Sequence, residues 1–353
     1  MSYEALFNPI KIRGLELKNR VVLPGMNTKM VVKKHGIGED MIAYHVAKAK
    51  AGCALNIFEV AAVCPEPHAY MYMGLYTDKD VEELRKLTDA VHEVGGLMGI
   101  QLWHGGFTPQ LFFDESNKLE TPDTCTVERL QEIEKQFGQA AKRAVDAGFD
   151  VVEFHAAHSY LPHELLSPGT NHRTDEFGGS AENRFRFAGE CLSAIRQAVG
   201  KDYPILVKVN TNCAGEADEA YAQDILYFCR QFEALGADAI ELSGYNWLGL
   251  GKKKVPTFYL DRAVQIRQAV SIPLILVGGV RGPETAQQIL DAGIDFVSAS
   301  RPFICQPDFV RHLEQGEDSP CVGCTKCLGN IWSKEGRRCI KHEIPAAFAN
   351  NQA

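Results

Sequence analysis

The sequence has no run approaching the roughly 18 apolar residues of a membrane span, and its opening MSYEALFNPIKIRG carries no apolar leader core. A cytoplasmic protein with no membrane partner is the expectation. Positive charge is also in short supply. Lys and Arg number 37 against 45 Asp and Glu, a formal −8, so a nucleic-acid partner is disfavoured and a small-molecule substrate is favoured. No linker rich in Pro, Gly or Ser interrupts the chain. G-x-G-x-x-G is missing after the first strand-like run, where LPGMNTKM stands, and this disfavours a dinucleotide-binding doubly wound sheet. With 45% hydrophobic and 23% charged residues there is no sign of extended disorder, and 353 residues suffice to bury a large core.

What is present repeats. KIRGLELKN alternates around a glycine and predicts a short N-terminal hairpin. After it come RVVLP, ALNIFEVAAV, GLMGIQLW, FDVVEFHAA, PILVKVNT, AIELSG, PLILVGGV and DFVSAS, short runs rich in Val, Ile and Leu, as strands buried on both faces are. Between them lie DVEELRKLTDAVHEVG, TVERLQEIEKQFGQAAKRAVDAG and GPETAQQILDAG, with apolar residues at helical spacing and Gly at the stop. Such β-then-α units in series predict an α/β fold, a (β/α)8 TIM barrel. We place it over residues 1–315, with a C-terminal extension over 316–353.

Ligand chemistry in such a barrel gathers at the C-terminal strand ends. The fourth run closes in His155-Ala-Ala-His158-Ser-Tyr160, two imidazoles and a phenol able to donate hydrogen bonds or a proton. The ordinary reading is a satisfied, partly buried His pair; zinc would need a third ligand that the sequence does not place nearby. Gln101 offers an amide that both donates and accepts. Lys208, in ILVKVNT, puts a cation in a buried strand, where it needs a partner. That partner is either an acidic side chain inside the barrel or an anionic ligand such as a reduced flavin ring. The last two runs end in Val277-Gly278-Gly279-Val280-Arg281 and Ser298-Ala299-Ser300-Arg301. Glycines free backbone N–H groups to wrap a phosphate and a following Arg clamps it; the two loops together point to a phosphorylated cofactor.

Of 11 cysteines, Cys53, Cys64, Cys125, Cys191, Cys213, Cys229 and Cys305 are scattered and read as reduced thiols. Cys321, Cys324, Cys327 and Cys339 form C-x2-C-x2-C-x11-C, a spacing that lets three thiolates converge from one tight loop while a fourth returns to them. Iron–sulfur and structural zinc are both open for such a set.

LFNPIKIRGLELKNRVVLPGM, GIQLWHGG, HAAHSYLPHELLSPGTNHRTDEFGGSAENRFRF, LVGGVRGPETAQQIL and SRPFICQPDF together resemble the old yellow enzyme family over nearly the whole chain. AHSYLP, the SRP tripeptide and the cysteine motif resemble its iron–sulfur subgroup, which includes trimethylamine dehydrogenase and 2,4-dienoyl-CoA reductase. The resemblance implies FMN, with Met26, Asn27 and Ala61 against the ring, Gln101 and Lys208 at its pyrimidine edge, and Gly279, Ser300 and Arg301 on its phosphate. It further implies that His155 and His158 position the substrate, that Tyr160 donates a proton or orients the substrate, and that the cysteines hold a 4Fe–4S cluster. Family members often self-associate, so a homo-oligomer is implied too.

Asn27 stands where the covalently flavinylated member of the subgroup has Cys, which implies non-covalent FMN. The larger relatives continue into further flavin- and nicotinamide-binding domains, whereas this sequence stops soon after Cys339. Either a separate electron-transfer protein works through the cluster, or NADH or NADPH docks directly over the flavin. Reduction of an activated alkene is the favoured reaction. Oxidation of an amine is the alternative, with Tyr70, Tyr72, Tyr245 and Trp247 as a cation-binding cage. A non-catalytic electron-transfer subunit is the reading from another class, and the polar trio at residues 155, 158 and 160 argues against it.

Overall fold

The computed structural model describes residues 3–28, 30, 36–65, 72–106, 120–329, 339 and 341. The opening hairpin pairs β1 (Ile10–Ile12) with β2 (Leu15–Leu17) antiparallel, and Arg13 takes a left-handed φ of 52° at its turn. Ile12 and Leu17 are fully buried, packed with Val22, Leu55, Val151, Leu206, Ile275 and Phe296 at the starts of the barrel strands. The hairpin therefore plugs the barrel's N-terminal end. Arg13 Nε donates to Asp238 Oδ1 at 2.6 Å and Arg196 Nη2 meets Asp238 Oδ2 at 2.7 Å, which ties the plug to the strand entrance.

Eight parallel strands make the ring: β3 (Val21–Leu23), β4 (Leu55–Ala62), β6 (Met98–Trp103), β7 (Val151–Ala156), β8 (Ile205–Asn210), β9 (Ala239–Ser243), β10 (Leu274–Val277) and β11 (Phe296–Ser298). It closes because β3 pairs with β11 at Val21↔Val297 and with β4 at Val22↔Leu55. The architecture is a (β/α)8 TIM barrel, and each barrel strand falls inside one of the apolar runs. One short strand was not foreseen: β5 (Met73–Gly74) adds to the end of β4 at Ala61↔Met73, where two residues carry too little pattern to read.

The crossover helices lie where the periodicity put them, at Asp78–His92, Val127–Asp146 and Pro283–Asp291. Thr126 Oγ1 caps the second by accepting from Arg129 N at 3.2 Å. Phe154 on β7 meets Phe137 of that helix edge-on, with ring centroids 5.1 Å apart; each buried ring contributes on the order of 1.5–3 kcal/mol. Beyond the helix Phe309–Glu314 the chain returns to the barrel mouth, where Ser319 N donates to Arg281 O at 2.7 Å. Among the described residues no helix is long and apolar enough to cross a membrane.

Candidate active site

A cavity of about 510 Å³ opens at the C-terminal ends of the strands. Met26, Asn27, Gln101, His155, His158, Tyr160, Lys208, Gly279, Ser300 and Arg301 all line it. The closed barrel brings these residues together from six separate strand ends. Ala61 is different: it is fully buried in the core, and Val60 lines the cavity in its place. Successive side chains of a strand face opposite sides, and β4 has a register shift against β6 between Phe58 and Ala61, so the inward residue is one position earlier than expected.

Two imidazoles and a phenol form one wall. Ala157 N donates to His155 Nδ1 at 3.2 Å, so the proton of the neutral ring sits on Nε2. His158 Nε2 and Ser243 Oγ lie 2.8 Å apart, and His158 N donates to Asn210 Oδ1 at 3.2 Å. His158 and Ser159 both adopt left-handed φ, 61° and 58°, a conformation costly for side-chain-bearing residues and held only by surrounding contacts. Burial, reinforced by the charge of Lys208, pushes the pKa of both imidazoles well below its ordinary value. They are neutral hydrogen-bonding groups at physiological pH. The Tyr160 ring packs edge-on against His155 at 5.0 Å and Trp103 at 5.2 Å, which fixes the phenol over the cavity.

Lys208 has its acidic partner: Nζ lies 2.6 Å from Glu241 Oε1, both side chains almost fully buried. Lys208 is thus paired inside the barrel, one of the two readings the sequence left open, and it also lines the cavity. Gln101 Nε2 donates to Glu153 Oε2. Burial and the neighbouring Glu241 raise the Glu153 carboxyl far above the usual carboxylate range. Sequence reading missed Glu153 and Glu241, although a lone acid within a run buried on both faces was the available signal.

A stability consequence follows for the cofactor-free protein. The folded chain keeps a proton on Glu153 that the unfolded chain releases near pH ~4.3. Stability therefore falls as pH rises from there toward the folded pKa, by up to about 1.4 kcal/mol per pH unit. Glu153→Gln removes this slope. Thermal unfolding followed from acid to neutral pH should show the wild type weakening relative to the variant; parallel curves would refute the assignment.

The far end of the cavity is built for an anion. Gly278 and Gly279 have φ of 133° and 79°, and a Cβ on Gly279 would stand 2.3 Å from Thr257 N. Among the described residues Arg281 Nη2 and Arg301 Nη1 are buried without a hydrogen-bond partner, a costly state unless a ligand satisfies them. These orphaned donors and the glycine cradle fit a phosphate group.

The expected aromatic cage does not assemble among the described residues. Trp247 lines the cavity, Tyr72 lies against Trp103 at 4.6 Å, and Tyr245 is 48% exposed. Tyr70 lies outside the described residues.

Cys321, Cys324, Cys327 and Cys339 line one small cavity of about 20 Å³ beside Arg301. Among the described residues, no group of three or more His, Cys, Asp or Glu side chains already stands in metal-holding geometry. Cys305, read from sequence as a scattered thiol, joins them: burial and contact with Cys339 push its thiol pKa strongly upward. Cys321 also lines the larger cavity, so the two sites share a wall.

Residues 5–319 match the NADH:flavin oxidoreductase / NADH oxidase family. An NADPH dehydrogenase of Bacillus subtilis is 34% identical over 87% of this chain and 93% of its own. A metal reductase of Desulforamulus reducens is 33% identical over 95% of this chain, which spans 53% of that protein's length. The solved structure of an old yellow enzyme homologue from Zymomonas mobilis superposes with a TM-score of 0.74 at 25% identity, covering 88% of this chain and 92% of that one. Barrel, cavity and comparisons agree: the chain belongs to the NADH:flavin oxidoreductase / NADH oxidase family, the old yellow enzymes, and is a flavin oxidoreductase.

Proposed function

We propose that this protein binds FMN non-covalently in the barrel mouth and reduces an activated alkene of the enone or enoate type, with NADH or NADPH as reductant. The observation that carries the reading is one cavity with a phosphate-accepting end and, at the other end, a neutral His pair beside a tyrosine. Gly279, Ser300 and Arg301 would hold the phosphate, Gln101 and Lys208 the pyrimidine edge, and Met26 and Asn27 the ring. Bound FMN supplies hydride chemistry that no side chain offers. His155 Nε2–H and His158 hydrogen-bond the carbonyl oxygen of the substrate and draw electron density from its double bond. Tyr160 donates the proton that completes the saturated product.

Protein purified without oxygen should carry a flavin absorption band that NADPH bleaches and a cyclic enone restores. A flavin that an amine bleaches and no enone restores would instead favour the oxidative direction.

The all-thiol donor set at Cys321, Cys324, Cys327 and Cys339, on one small cavity, supports a 4Fe–4S cluster there, exchanging single electrons with a separate carrier protein. Iron and sulfide assays should give about four irons per chain, and Cys324→Ser should lose them while keeping FMN. Zinc in place of iron would overturn this assignment.

A further inference from the structure

At the cavity floor, four side chains from neighbouring strands form a linked array. Gln101 on β6 donates to Glu153 on β7, and Glu153 lies within hydrogen-bonding reach of Glu241 on β9. Glu241 pairs with Lys208 on β8 at 2.6 Å. Strand register sets these neighbours: Gln101↔Glu153, His155↔Lys208 and Lys208↔Glu241. Both carboxyls are fully buried, and among the described residues no N–H or O–H donor reaches Glu153 Oε1. Other titratable groups near the array are His155 and His158 on the cavity side, both neutral.

With every group ionised the array would carry a net charge of −1 among side chains that are all buried. One proton held between the two carboxyls makes it neutral and occupies the orphaned oxygen. In that state the Lys208 charge is already matched by Glu241, so it is not free to offset new negative charge above it.

We propose that Glu153 and Glu241 form a proton-binding site that takes up a second proton when the cofactor above Lys208 is reduced. This rests on the reading that FMN occupies the cavity. The reduced nicotinamide transfers two electrons and one proton as hydride, leaving the ring with one negative charge. A solvent proton then binds Glu241, which frees the Lys208 ammonium to face that charge and keeps the buried volume neutral. Glu241 is thus a positioning residue for charge, acting through Lys208.

The test counts protons. FMN-loaded protein is reduced anaerobically with limiting NADPH at neutral pH in weak buffer containing a pH indicator. Because hydride carries its own proton, a chain without this site takes one from solution only where the reduced ring itself becomes protonated, and the ring's own absorption reports that state. Wild type should take up about one proton per NADPH, as should Glu153→Gln, which leaves the Glu241–Lys208 pair intact, while Glu241→Gln should take up none. Uptake by Glu241→Gln equal to wild type, or none by wild type, overturns the proposal. The wild type alone gives a second readout: its reduced-minus-oxidised infrared spectrum should gain a protonated-carboxyl C=O band, and no gain also overturns it. If the flavin band is missing after FMN is added, the reading of the cavity itself has failed, and that is evident before any proton is counted.

Discussion

Tyr160→Phe should slow reoxidation of the flavin by an enone about 10²–10⁴-fold, the range expected when a positioned general acid is removed. Reduction of the flavin by NADPH should be unchanged. The split follows from placement. The phenol is carried by a ring wedged between His155 and Trp103, so phenylalanine keeps the packing and removes only the O–H. His155 and His158 are held neutral by burial and by Lys208, so neither replaces the missing acid at neutral pH. Stopped-flow measurement of the two half-reactions separates the cases. Equal slowing of both would mean that Tyr160 shapes the cavity rather than supplying the proton.

Arg301→Ala should weaken FMN binding by at least about 10²-fold, since charge-assisted hydrogen bonds to phosphate contribute about 1.5–3 kcal/mol each. Arg301 Nη1 is buried with no hydrogen-bond partner among the described residues, and the main chain at Gly251 is so close that a Cβ there would stand 2.1 Å from it. The guanidinium is therefore in place before any ligand arrives, and little side-chain entropy remains to be spent on binding. Arg301→Lys should recover part of the affinity as a point charge without the bidentate fork. Quenching of FMN fluorescence on titration with apoprotein measures all three proteins. Unchanged affinity in Arg301→Ala would place the phosphate elsewhere.

Both predictions concern residues that sequence analysis singled out. Tyr160 and Arg301 stand at the polar ends of apolar runs, and in a parallel barrel those ends share one rim. The same logic reached Gln101, Lys208 and Gly279. It failed where a residue matters through a neighbour distant in sequence. Cys305 looked scattered because its contact, Cys339, is distant in sequence and outside the spacing of the cysteine motif's first three members. Tyr245 and Tyr72 looked like cage members because loop proximity to the rim was all that sequence offered; Tyr72 packs on Trp103 behind the lining, and Tyr245 is half-exposed.

The sequence by itself determined the barrel, the order of its strands and most of the rim positions that line the cavity, because buried-strand runs, helical periodicity and the polar residue ending each run are local patterns. Only the tertiary structure decided that Val60 rather than Ala61 lines the cavity, that Glu241 pairs with Lys208, and that Glu153 meets Gln101. Those outcomes depend on strand register and ring closure, and with a side-chain period of two a shift of a single residue reverses which groups face the cavity.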